Sequence, residues 1–148
     1  MQISALTNKF KEELKIIMSD PVVKILLENS CLTEAQLETL LIDLYQRENR
    51  DEISQEMKLT LRRRRVSRGA FNRTKRQAMR NVVKSIYTML LLGYLGLLET
   101  SPLEPFLEIS DKLKTLRETI NDYGDKELAK ELLSNLLVEM EDTTLRQG

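Results

Sequence analysis

Apolar residues return along most of this chain at intervals of three and four, and strict alternation is nowhere sustained. That spacing belongs to amphipathic helices rather than strands. Leu6, Phe10, Leu14 and Ile17 form one such stripe near the start. Asp20 followed by Pro21 predicts a helix start, because aspartate can accept from free N–H groups and proline tolerates the first helical position. Thr33 and Gln36 have the spacing of a capping box ahead of Leu37, Leu40, Leu41, Leu44 and Tyr45. Ser101, Pro102 and Glu104 predict a further start, with Pro105 close enough behind to delay it. Gly124 is placed to close that helix and Asp125 to cap a last one, striped by Leu128, Leu132, Leu136 and Met140.

Three prolines and five glycines in 148 residues leave few breaks. The pattern therefore predicts an all-α fold of about six or seven helices. It reads as a single domain, 1–148, in three parts. Residues 1–50 form a helical arm, 51–100 a centre that includes an apolar core helix, and 101–148 the C-terminal helices. The segment "SIYTMLLLGYLGLL", residues 85 to 98, is uncharged over 14 residues. A membrane span needs about 20, so it reads as a buried scaffold helix against which both arms pack. The first 20 residues carry charges among their apolar positions and do not read as a signal peptide.

Charge changes the picture. The chain holds 23 basic and 23 acidic residues, yet residues 57 to 98 contain 11 basic residues and no acid. The first 56 residues hold 6 basic and 11 acidic, and residues 99 to 148 hold 6 and 12. A basic centre is thus flanked by two acidic arms, and its local field, not the zero net charge, selects a partner. The densest part is "RRRRVSRGAFNRTKRQ", residues 62 to 77, with eight arginines and lysines.

Ser67 is a good cap for a helix over 67–84. At 100° per residue, Arg68, Asn72, Arg76, Arg80 and Lys84 run along one side, with Arg73 and Gln77 in the same half. Phe71, Ala78 and Val82 gather opposite. Like charges four residues apart destabilise a helix unless an anion answers them, so the cationic face calls for an anionic partner. "EISQEMKLTL" supplies Ile53, Met57 and Leu61 as the apolar side of a short preceding helix.

Leu61, Val66 and Phe71 stand five residues apart, as do the apolar residues that build the helix-turn-helix of DNA-binding proteins. "VSRGAFNR" resembles the recognition-helix start of bacterial and archaeal repressors. Leu61 stands where that family usually has alanine, and Arg65 where it has glycine. The resemblance covers about 25 residues, 53–77, and implies double-stranded DNA as partner. By that match Ser67 caps the recognition helix, and Arg68, Asn72 and Arg73 point to base edges, as arginine suits guanine and asparagine suits adenine. Arg62, Arg63, Arg64, Arg65, Lys75, Arg76 and Arg80 are cast as phosphate contacts, which position without specifying. Transcriptional regulation by a homodimer, paired through the helical arms, is the expected use.

Other readings stay open. The basic cluster could pair internally with the acidic arms in a protein-interaction module, or it could bind RNA or the ribosome. Basic and aromatic residues are poorly interleaved for single-strand stacking, and no membrane partner is expected. No histidine is present and Cys31 is the sole cysteine. That removes the commonest general base, any disulfide framework and cysteine-cluster zinc sites. Cys31 reads as a small, partly buried hydrophobe in a reducing, cytoplasmic setting. No glycine-rich phosphate loop, metal-ligand spacing or nucleophile elbow occurs, so no enzyme, metal or cofactor is expected.

Overall fold

The computed structural model describes residues 2–97 and the helical positions 107, 108, 110–115, 131, 134, 135 and 138. The fold is all-α. Its elements are α1 (Gln2–Ser19), α2 (Pro21–Glu28), α3 (Glu34–Glu48), a 3-10 turn (Met57–Thr60) and α4 (Arg68–Tyr94). The chain groups into two compact units, residues 1–84 and 85–148, and α4 begins in the first and ends in the second. The helix starts expected at Ser101 and Asp125, and the Leu128–Leu132–Leu136–Met140 stripe, lie outside the described residues.

Local chemistry starts the helices where the sequence places them. The Asp20 carboxylate accepts the Val22 N–H at 2.8 Å, with Pro21 at the first position. Thr33 Oγ1 accepts the Gln36 N–H at 3.2 Å while Gln36 Oε1 accepts the Thr33 N–H at 3.1 Å. That reciprocal box satisfies two of the donors every helix start leaves open. Ser67 Oγ accepts the Ala70 N–H at 3.1 Å and opens α4. Gly96, at φ +69°, ends the same helix. The Leu97 N–H reaches back to the Leu92 carbonyl at 3.0 Å, a left-handed closure that glycine adopts without strain.

In the first unit, Phe10, Leu14 and Met18 of α1 meet Ile42 of α3, Leu61 and Phe71 of α4 in one buried cluster. Leu37, Leu41, Tyr45, Leu59 and Val66 close around it. The Phe10 and Tyr45 rings stack with centroids 3.7 Å apart. Burial, then the nearby Glu13 and Glu52 carboxylates, push the Tyr45 hydroxyl above its ordinary value. Leu61, Val66 and Phe71, the five-residue series, all belong to this cluster.

Several expectations are corrected. The element before Leu61 is one 3-10 turn, not an α-helix, although Ile53 and Leu61 are buried as expected. Residues 68–84 and the uncharged run that follows form one helix instead of two. That run is not buried. Ile86, Tyr87, Leu90, Leu91 and Tyr94 are exposed, because an uncharged run looks the same in sequence whether a core or a partner is to cover it. Cys31 is exposed as well, in the loop between α2 and α3.

Phe71 has no exposed surface and ties α4 to α1 and α3. Phe71→Ala should cost about 3–5 kcal/mol of unfolding free energy, read from urea melts followed by far-ultraviolet circular dichroism.

Candidate nucleic-acid interface

The side of α3 that carries its polar residues is buried. Gln36, Glu38, Thr39, Asp43 and Gln46 are all covered, while the apolar Leu44 is 46% exposed. Buried polar groups require partners, and each of these finds one. Gln46 Nε2 donates to the Ile53 carbonyl at 3.1 Å and its Oε1 accepts from Gln55 Nε2 at 3.1 Å. The loop 49–56 is thereby held against α3. Glu38 Oε1 accepts the main-chain N–H of Arg63 at 2.8 Å, and Glu34 Oε1 accepts from the Arg63 guanidinium at 2.7 Å. Asn81 Nδ2 of α4 donates to the Cys31 carbonyl at 2.9 Å and to Gln36 Oε1 at 3.2 Å.

Asp43 is the centre of this surface. Its carboxylate, 4% exposed, lies 3.0 Å from Lys75 Nζ, 3.4 Å from Lys58 Nζ and 3.2 Å from Arg47 Nε. Lys58 Nζ also sits 4.8 Å over the Phe71 ring, a cation–π contact. Burial alone would raise the Asp43 pKa. Lys75 and Lys58 overcome that and hold the carboxyl below its ordinary value of 3.8.

The eleven residues singled out from the sequence therefore divide by what they touch. Lys75 is half-buried on Asp43, and Arg63 is tied to Glu34 and Glu38. Both are paired with carboxylates, although the Arg63 side chain is itself exposed. Ser67 spends its hydroxyl on the helix start. Arg62 is half-buried, its Nε covered and without a hydrogen-bond partner among the described residues. It lines a cavity of about 400 Å³ with Lys11, Leu14, Met18 and Glu38.

The rest face outward. Arg64 and Arg65, in the irregular stretch before α4, are exposed. So are Arg68, Asn72, Arg73, Arg76 and Arg80. None of these arginines makes an ion pair with a described residue. Arg76 Nε donates to the Asn72 carbonyl at 3.4 Å, which lays its side chain along the helix. The buried side of α4 in the first unit is Phe71 and Ala78, both fully covered. At 100° per residue Arg73, Arg76 and Arg80 point away from these two, while Arg68, nearer their side, is exposed at the first position of α4.

Sequence reasoning overlooked Asp43, Lys58 and Asn81, which together with Gln36 hold the basic helix in place, and Gln46, which holds the loop 49–56. The signal was the spacing of Gln36, Thr39, Asp43 and Gln46, which places four polar residues on one helix face. Among the described residues no group of three or more histidine, cysteine, aspartate or glutamate side chains is placed to hold a metal. No described helix is long and apolar enough to cross a membrane. No protein-family model, characterised protein or solved structure matches this chain.

Since the folded-state pKa of Asp43 is depressed, its charged form stabilises the fold at neutral pH. That contribution falls away as pH drops below 3.8 toward the lower folded-state value. Asp43→Asn leaves Lys58 buried without its counter-charge. It should cost about 3 kcal/mol at neutral pH and flatten the acid side of the stability–pH curve, measured by urea melts across the acid range.

Proposed function

We propose that this protein binds double-stranded DNA through the outward arginine face of α4, as a sequence-specific transcriptional regulator working as a dimer in the cytoplasm. The observation that carries the reading is the division of the basic residues. The acids of α3 engage Lys58, Arg63 and Lys75, whereas Arg64, Arg65, Arg68, Arg73, Arg76 and Arg80 stay exposed and unpaired among the described residues. A cluster of like charges on one helix is unfavourable in isolation. Duplex DNA, with about one charge per 1.7 Å, relieves it and gains counterion release.

In this reading Leu61, Val66 and Phe71 act as the apolar triad of a helix-turn-helix-like unit, with one 3-10 turn in place of the usual first helix. Arg68, Asn72 and Arg73, near the start of α4, supply the base-reading chemistry. Arg64, Arg65, Arg76 and Arg80 neutralise phosphates. Arg63 and Lys75 have lesser parts than their place in the sequence suggests, because contacting DNA would cost them the Glu34 and Asp43 pairs. A dimer doubles the contacts one recognition helix can make, at half-sites about one helical turn apart.

Fluorescence anisotropy of a labelled duplex over a salt series tests the reading. Arg76→Ala and Arg80→Ala should each weaken binding and lower the slope of log K against log salt by about 0.9. Arg68→Ala and Asn72→Ala should instead compress the preference among selected sequences, at about 1–3 kcal/mol per lost base contact. Absence of binding at low salt would end the DNA reading. Tighter binding to a single-stranded or duplex RNA of equal length would transfer the same face to RNA.

A further inference from the structure

The arginine face of α4 leaves one feature of the first unit without a role: the cavity of about 400 Å³ beside Arg62. It lies between α1, α3 and the residues 61–63 that lead out of the 3-10 turn. A water molecule takes about 30 Å³, whereas ligand cavities begin near 300 Å³. The space therefore admits a small organic molecule. Its floor is the edge of the apolar cluster, Leu14, Met18 and Leu61. The methylene stems of Lys11, Lys15 and Arg62 extend that apolar lining.

The charges around the cavity do not cancel. Lys11, Lys15, Arg62 and Arg63 line it together with Glu12 and Glu38. Glu12 is taken by Lys15 at 3.2 Å. Glu38 accepts the Arg63 main-chain N–H at 2.8 Å, and the Arg63 guanidinium pairs with Glu34 at 2.7 Å. Even with Glu34 counted, four cations meet three acids, so the site keeps one net positive charge. Lys11 and Arg62 are the two cations that form no ion pair with a described residue.

Arg62 adds a second, independent sign. Its Nε is covered, yet it donates to nothing among the described residues. A covered donor without an acceptor costs free energy. The acceptor that suits it best is a carboxylate, met side by side by Nε and a terminal guanidinium nitrogen. One net positive charge matches one carboxylate, and a cationic ligand would face the unpaired Lys11 and Arg62. We infer that the cavity binds a small organic monoanion, a carboxylate carrying an apolar body. In the bound state the edge of the Arg62 guanidinium turns onto the carboxylate and Lys11 supplies the second cation. The apolar body rests on Leu14, Met18 and Leu61. This site is independent of the DNA reading, in which Arg62 supplies no phosphate contact.

The probe is 4-phenylbutyrate, titrated into the full chain with ¹³C-labelled methionine methyl groups and followed by nuclear magnetic resonance. Met18 lines the cavity, whereas Met79, exposed on α4, does not. The Met18→Leu variant assigns the reporting signal. That signal should move with a Kd below about 1 mM while Met79 stays in place. The neutral 4-phenylbutyramide should bind at least about tenfold more weakly. Arg62→Met should cost the carboxylate a similar factor, the loss of one charge-assisted hydrogen bond. Lys11→Gln should weaken binding by a smaller factor, as for a half-exposed charge pair. A Met18 signal unmoved up to about 10 mM carboxylate would overturn the inference. So would equal affinity for the amide, or unchanged affinity in Arg62→Met. Movement of Met79 in place of Met18 would also overturn it, putting the molecule on the apolar face of α4.

Discussion

The Asp43 carboxylate, buried between Lys58 and Lys75, is the contact on which the first unit turns. It joins three segments that the chain keeps far apart: α3, the 3-10 turn and the first half of α4. A carboxylate with 4% of its surface exposed is tolerable because Lys58, Lys75 and Arg47 answer it, and the buried Lys58 in turn depends on Asp43. Phe71 completes the arrangement. Its ring lies in the apolar cluster and under the Lys58 ammonium, so apolar packing and charge pairing fix the same turn of α4.

Because Lys75 points inward on a helix with a 3.6-residue repeat, the face opposite it is committed to solvent. Phe71 and Ala78 share the inward side, and Arg73, Arg76 and Arg80 are left outside, while Arg68, on the Lys75 side, is exposed at the first position of α4. The exposure of Arg73, Arg76 and Arg80 is thus a consequence of how α4 is anchored. The acids of α3 that meet basic residues are already used, Asp43 by Lys58, Lys75 and Arg47, and Glu34 and Glu38 by Arg63. What remains is a run of cations along one helix face with no answering carboxylate among the described residues.

How much of this could be read from the sequence depended on the range of the interaction. The starts at Asp20, Thr33 and Ser67 were legible because a cap is formed by residues two or three positions apart. The Leu61–Val66–Phe71 series was legible as a shared apolar environment. The buried polar side of α3 was not, since Asp43 and Lys75 meet across 32 positions and nothing local marks the carboxylate as covered. The uncharged run after Lys84 misled for a related reason. Apolar composition states that a surface must be covered, not by what, and Ile86, Leu90 and Tyr94 stand open. Met57 to Thr60 formed a 3-10 turn where an α-helix was expected, four residues being too few to sustain α-helical bonds against the bends on either side.

The central claim is that the carboxylates of α3 divide the basic residues into a set they pair, Lys58, Lys75 and the exposed Arg63, and a set free to meet an anion. Two-dimensional nuclear magnetic resonance of the arginine Nε–Hε groups, recorded during titration with a short DNA duplex, tests that division directly. The account predicts that the Arg68, Arg73, Arg76 and Arg80 signals shift while that of Arg63, paired with Glu34, stays in place. Equal movement of all five, or movement of Arg63 alone, would contradict it.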